Sequence, residues 1–156
     1  MAVNARYVHT NLVARDWRRL AEFYERAFDC RRLPPERDLS GAWVDRLTGL
    51  EGAHIRGVHL RLPGWGPDGP TLEIFQYNFL APHEPPAANR PGFGHIAFAV
   101  EDVAAAQASV LEEGGGKLGE LQTVDIPDVG AITLVYMTDP EGNLVELQRW
   151  RSFAQS

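Results

Sequence analysis

The chain contains 156 residues, of which 44% are hydrophobic, so it is long enough and apolar enough to bury a core without disulfides. Its net charge is −6, from 21 acidic and 15 basic residues, and no basic run could follow a phosphate backbone, so nucleic acid is not an expected partner. With Cys30 as its only cysteine, and with neither a signal segment nor an uninterrupted apolar span, the sequence predicts a cytoplasmic protein that does not enter the membrane.

In the first half, a short strand around His9 is predicted to lead into a helix. Asp16 is placed to cap the free backbone N–H groups of the first helical turn, and apolar residues follow at helical spacing. These apolar residues are Trp17, Leu20, Tyr24, Ala27 and Phe28. Alternating apolar and polar residues then predict further strands, so that residues 5–80 form a unit of one strand, one helix and three strands. The three strands are predicted at residues 42–45, 55–62 and 71–77.

Residues 81–91 are rich in proline, which disfavours both a helix and a central strand, and they are predicted to be a linker. The pattern then repeats, because the seven-residue interval between histidine and aspartate recurs at His95 and Asp102. Residues 92–151 are therefore predicted to form a second unit of the same kind, with a helix that ends near three successive glycines. Its later strands are predicted at residues 121–126, 131–137 and 143–150.

Each half supplies one histidine early and one glutamate late. Because side chains on a strand alternate between the two faces of a sheet, these four residues are predicted to lie on the face opposite the helices. The four residues are His9, Glu73, His95 and Glu146. Asn11, His59 and Arg61 are predicted on the same face as substrate-binding residues, and His59 and Arg61 could hold an anionic group there.

Two imidazoles and two carboxylates form a mixed nitrogen and oxygen ligand set that suits one divalent ion of Ni, Co, Zn, Mn or Fe. Such a set leaves coordination positions open, which is typical of catalysis rather than of a structural ion. A small-molecule substrate with two adjacent oxygens could bind there, and the ion would stabilise the enediolate that forms when the neighbouring C–H loses its proton. Glu146 and Glu73 are the candidate catalytic bases for this proton transfer.

The repeated unit and the endings Gly-Pro-Thr-Leu-Glu73 and Asp-Pro-Glu-Gly-Asn-Leu-Val-Glu146 resemble the vicinal oxygen chelate superfamily, which includes glyoxalase I, extradiol dioxygenases and bleomycin resistance proteins. The resemblance extends from about Tyr7 to Trp150. It implies an α+β fold in which two βαβββ modules form an open, cup-shaped mixed β-barrel with helices on the outside. It also implies a homodimer, because many relatives pair. The metal ligands that it implies, similar to those of bacterial glyoxalase I, are His9, Glu73, His95 and Glu146.

The resemblance implies a metal-dependent lyase or isomerase that moves a proton next to a carbonyl, like glyoxalase I (lactoylglutathione lyase) acting on a thiol adduct of a 2-oxoaldehyde. Three alternatives remain open. An acyl-CoA epimerase of the methylmalonyl-CoA epimerase type would share the proton chemistry, and an Fe(II) extradiol dioxygenase would not need Glu73 as a ligand. A drug-binding resistance protein would hold a flat hydrophobic compound without reaction, and tight metal binding would argue against it.

Overall fold

The computed structural model describes residues 1–152, which contain three helices and nine strands in two sheets. The predicted α+β class is therefore confirmed. The chain divides into two compact units, Met1–Pro82 and a second unit that begins at His83, and this boundary falls within residues 81–91. Among the described residues, no helix is both long enough and apolar enough to cross a membrane.

The first unit is a four-stranded sheet with two helices. Its elements are β1 (His9–Val13), α1 (Trp17–Phe28), β2 (Arg31–Ser40), α2 (Ala42–Thr48), β3 (His54–Arg61) and β4 (Thr71–Tyr77). The strands lie in the order β1-β4-β3-β2, with β1 parallel to β4 and the other neighbours antiparallel. This order places β4 between β1 and β3, so a side chain in the middle of β4 is flanked by side chains from both neighbours.

Helix α1 begins at the predicted cap and packs on one face of this sheet. The Asp16 carboxylate accepts a hydrogen bond from the backbone N–H of Arg19 at 3.1 Å, and Asp29 ends the helix in the left-handed region with φ of 53°. The helix contacts β3 and β4, where apolar side chains are buried. The buried residues of α1 are Trp17, Leu20, Ala21, Phe23, Tyr24 and Phe28, and those of the two strands include Val58, Leu60, Leu72 and Ile74.

Replacing Asp16 with alanine is expected to lower the free energy of unfolding by about 1 kcal/mol, because the N–H of Arg19 loses its acceptor. A similar loss is expected for Asp102→Ala, since the Asp102 carboxylate accepts from the N–H of Ala105 at 3.0 Å. Urea denaturation measures both changes. Asp68→Ala is the control, because Asp68 is exposed and caps neither α1 nor the helix after Asp102, so its effect should stay within about 0.5 kcal/mol. Capping variants no less stable than this control would contradict the assignment.

The prediction of a strand at residues 42–45 is wrong, because these residues belong to α2. Gly41 and Gly49, with φ of 100° and 72°, stand at the two ends of this short helix in backbone conformations that favour glycine. Val44 is fully buried and packs in a small cluster with Ile55. Four alternating residues cannot distinguish a strand from a single helical turn that buries one side chain, which is the physical reason for the error.

Strand β2, and not residues 42–45, is the first strand after α1, and it was not predicted because it contains Pro34 and Pro35. Proline has no N–H for a sheet ladder, and strands accept it mainly at edges and irregularities. Both conditions hold here. β2 is the edge strand next to β3, and its pairing register shifts between Leu33 and Arg37, on either side of the two prolines.

The second unit repeats the plan of the first with one extra strand. Its elements are β5 (His95–Ala99), α3 (Val103–Glu112), β6 (Gly116–Lys117), β7 (Gln122–Ile126), β8 (Gly130–Thr138) and β9 (Leu144–Arg151). The strands lie in the order β5-β9-β8-β6, and β7 also pairs with β8. The prediction of three strands after the helix is therefore corrected to four. Strand β6 has two residues, too few to show an alternating pattern. Strand β9 lies between β5 and β8, as β4 lies between β1 and β3.

Candidate metal centre

Glu73 lies in the middle of β4, on the sheet face opposite α1. Its pairing partners are Asn11 on β1 and His59 on β3, which therefore flank it from the two sides. The Asn11 Nδ2 donates to Glu73 Oε1 at 2.9 Å, and His59 Nε2 lies 2.6 Å from Glu73 Oε2. Glu73 is only 9% exposed, so this carboxylate is buried with a polar partner on each oxygen. Partners of this kind offset the cost of removing a charged group from water.

His9 completes a three-residue cluster in the first unit. It precedes Asn11 by two residues on β1, so strand alternation directs it to the same face. Its Nε2 lies 3.6 Å from Glu73 Oε1, and its ring is nearly perpendicular to that of His59, with the centroids 5.7 Å apart. One ligand atom from each of His9, His59 and Glu73 lies within 4.8 Å of the others. Two imidazoles and a carboxylate at this spacing could hold a divalent metal ion.

The surroundings of His59 favour the neutral imidazole that a metal ligand needs. Burial lowers the pKa of His59, Glu73 acts in the opposite direction, and the positive charge of Arg37 adds to the lowering. A lowered pKa keeps the imidazole neutral at neutral pH, with a nitrogen lone pair available for a hydrogen bond or a metal ion.

The second unit carries a smaller cluster of the same type. His95 Nε2 lies 2.8 Å from Glu146 Oε2, and Glu146 is 8% exposed. The pairing partners of Glu146 are Ala97 on β5 and Tyr136 on β8. The ring of Tyr136 packs on His95 with the centroids 4.9 Å apart. The second unit thus offers a histidine and a carboxylate, with an aromatic side chain beside them.

The two units place matching residues at matching positions, but they differ in what flanks the glutamate. Where the first unit has Asn11 and His59 on either side of Glu73, the second has Ala97 and Tyr136 on either side of its glutamate. Glu73 consequently has both oxygens engaged by neighbouring side chains. Among residues 1–152, His95 is the one side chain described as a partner of the Glu146 carboxylate.

Two further residues from the sequence analysis lie elsewhere. Arg61, predicted to bind substrate, lines a cavity of about 270 Å³ together with Arg31 and Trp65, and it does not belong to the cluster around Glu73. Cys30 is buried, and burial raises the pKa of its thiol to about 12, so it stays protonated and unreactive at neutral pH.

Strand alternation predicted His59 and Asn11 on the face that carries Glu73, but it did not predict their direct contacts with Glu73. The alternation of β3 and β4 carried part of the signal, since it indicated that His59 and Glu73 face the same way. It could not show that they are register partners, because register depends on the connection between the strands. Tyr136 was missed because nothing in its own strand distinguishes it from other apolar residues.

A family model described as Glyoxalase/Bleomycin resistance protein/Dioxygenase superfamily matches residues 6–147. A sequence search of curated proteins finds no significant match. Among solved structures, a glyoxalase family protein from Bacillus cereus is 21% identical with a TM-score of 0.78, and the match covers 96% of this chain and 98% of the other.

Two solved glyoxalase I structures also match. A variant of the Zea mays enzyme is 22% identical with a TM-score of 0.62, over 95% of this chain and 45% of the other. The trypanothione-dependent enzyme of Leishmania major is 22% identical with a TM-score of 0.58, over 94% of this chain and 87% of the other. At these identities, the structural matches show a shared fold.

Proposed function

Because the chain belongs to the Glyoxalase/Bleomycin resistance protein/Dioxygenase superfamily, we propose that it is a metal-dependent lyase or isomerase that transfers a proton next to a carbonyl, as glyoxalase I does. One observation carries this proposal. Each unit holds a buried glutamate with a histidine close to it, at 3.6 Å between His9 and Glu73 and at 2.8 Å between His95 and Glu146. A buried carboxylate grouped with a partly exposed imidazole is typical of functional sites.

The proposed ligands of one divalent ion are the two histidine and glutamate pairs that the sequence analysis selected. The donor types fit Ni, Co, Zn, Mn or Fe. Within each pair, the imidazole Nε2 already lies near a carboxylate oxygen, at 3.6 Å in the first unit and 2.8 Å in the second. When bound, the ion would polarise two neighbouring oxygens of a small-molecule substrate and so lower the energy needed to remove the adjacent proton. The proposal includes the open, cup-shaped arrangement, the homodimer and the cytoplasmic location that the resemblance and the composition imply.

The protein's own residues would then move the proton. Glu146 is the better placed base, because its Oε2 faces His95 while no described side chain engages its Oε1. In the proposed step, Oε1 takes the proton from the substrate carbon and returns it to the adjacent carbon. Glu73 is the second candidate, but Asn11 and His59 hold both of its oxygens, which favours a fixed orientation over proton transfer.

Metal content is the first test of this proposal. We expect elemental analysis of protein purified without chelator to find about one divalent ion per chain, and Glu73→Ala and Glu146→Ala each to lose most of it. Glu51→Ala is the matched control, because Glu51 is exposed and should leave metal content unchanged. Loaded protein is then assayed with thiol adducts of 2-oxoaldehydes and with acyl-CoA thioesters, which separates a glyoxalase from an epimerase. A native chain that binds no ion would contradict the enzyme proposal and favour a drug-binding resistance protein.

A second candidate function, Fe(II)-dependent extradiol ring cleavage, is favoured by the cluster of His9, His59 and Glu73. Two histidines and one carboxylate form the ligand set of many non-haem iron oxygenases. This candidate predicts selective retention of Fe(II) and oxygen uptake with catechols. This ligand set contains Glu73 and not Glu146. If Glu146→Ala keeps its metal while Glu73→Ala and His59→Ala lose it, the set of His9, His59 and Glu73 is indicated, and the dioxygenase becomes the better proposal.

A further inference from the structure

A cavity of about 380 Å³ in the first unit lies directly against the candidate metal centre. Glu73 and Asn11 form part of its wall, and helix α2 forms another part. The remaining lining is mostly apolar and aromatic, and it includes Leu39, Trp43, Leu47, Leu50 and Phe75. We call this cavity the α2 pocket. A mostly apolar pocket with a few polar groups at one side is the usual form of a small-molecule site.

The lining of the α2 pocket disfavours an anionic occupant. Among the described residues that line it, none is lysine or arginine, and Glu73 is the one acidic residue. The carboxylates of a tripeptide thiol or the phosphates of a coenzyme would find no basic side chain in the lining, and an anion held against apolar walls without a partner is disfavoured. The part of a ligand that enters the pocket is therefore uncharged.

The apolar residues of α2 are unusually open to solvent. Trp43 is 50% exposed and Leu47 is 74% exposed, although both line the pocket. The second unit has no helix between its helix α3 and its strand β8, so this feature is not part of the repeated plan. An apolar cavity of about 150 Å³ holds one benzene ring, so the α2 pocket has room for a group the size of a bicyclic aromatic ring.

We propose that the α2 pocket binds an aromatic or bulky aliphatic substituent of the substrate, with the two reacting oxygens of the substrate next to Glu73. The position of the two oxygens rests on the proposed function. The size, lining and charge of the pocket indicate which kind of substituent it would bind. It names the substrate class as aryl or branched-alkyl 2-oxo compounds and their adducts. The smallest 2-oxoaldehydes would leave the pocket empty.

Hydroxamates test this proposal without requiring turnover, because they chelate a metal ion through two neighbouring oxygens. We expect 2-naphthohydroxamate to bind zinc-loaded protein at least about thirtyfold more tightly than acetohydroxamate in calorimetry, since the ring buries apolar area in the pocket. Trp43→Ala should bring the affinity for 2-naphthohydroxamate close to that for acetohydroxamate. Trp65→Ala is the matched control, because Trp65 is also an exposed tryptophan but lines a different cavity. Equal affinities for the two hydroxamates in the native chain would overturn the proposal.

A second probe separates this inference from the proposed function. 2-Naphthamide lacks the chelating group and is titrated into chelator-treated protein, with chemical shifts of the indole N–H groups as the readout. Saturable binding that Trp43→Ala abolishes supports the α2 pocket even if no hydroxamate binds, in which case the metal proposal alone fails. If 2-naphthamide does not bind and acetohydroxamate does, the metal proposal stands and the pocket proposal is overturned.

Discussion

Replacing His59 with alanine is expected to weaken divalent-metal binding by about ten- to a hundredfold. The imidazole of His59 lies 2.6 Å from Glu73 Oε2, and its nitrogen is one of the three ligand atoms that lie within 4.8 Å of one another. Loss of the imidazole removes one donor from the cluster. It also removes the contact that fixes Glu73 Oε2, so the carboxylate is less well oriented for the ion. Calorimetric titration of chelator-treated protein with zinc measures the change.

The repeat provides a matched control for this prediction. Tyr136 faces Glu146 in the second unit at the position that His59 has opposite Glu73 in the first. A phenol is a poor ligand for these ions at neutral pH, so Tyr136→Ala is expected to change zinc affinity much less than His59→Ala. Circular dichroism of the metal-free variants checks that both remain folded. Equal affinities in native protein and His59→Ala would remove His59 from the metal centre.

The two units of the fold could be predicted because their signals are local. Helix α1 follows from a capping aspartate and an apolar stripe, and β4 follows from alternation that gives its limits, Thr71–Tyr77, to the residue. Local sequence patterns did not predict β2, where the position of the strand in the sheet overrides the local preference of its residues. The edge strand β2 tolerates Pro34 and Pro35 only because its outer side has no partner in the sheet, which no local pattern reveals.

The candidate site divides in the same way. The types and faces of His9, Glu73, His95 and Glu146 follow from the repeat and from alternation, and the structure brings each glutamate near one histidine. The contact between His59 and Glu73 depends on the register of β3 against β4, which is set by the connection at residues 62–70 and by packing under α1. The α2 pocket could not be predicted, because the sequence predicts a strand at residues 42–45 where the structure has α2.

The packing of α1 under the sheet leads to the largest expected loss of stability. Replacing Phe23 with alanine is expected to lower the free energy of unfolding by about 3–5 kcal/mol. Phe23 is 2% exposed, and its ring makes edge contacts with the rings of Tyr24 and Phe28 at centroid distances of 5.1 and 6.0 Å. The substitution leaves a cavity that these neighbours can fill only in part, and it removes the aromatic contacts as well.

Phe93→Ala is the control for this substitution, because the same chemical change is made at a fully exposed side chain, with relative exposure of 105%. It is expected to change the free energy of unfolding by less than about 0.5 kcal/mol in the same denaturant titration.

The same two variants also test how the fold supports the metal centre. Since α1 contacts β3 and β4, loosening its packing should disturb the strands that hold His59 and Glu73, and zinc affinity should fall together with stability. A Phe23→Ala variant as stable as Phe93→Ala would show that α1 does not anchor this sheet.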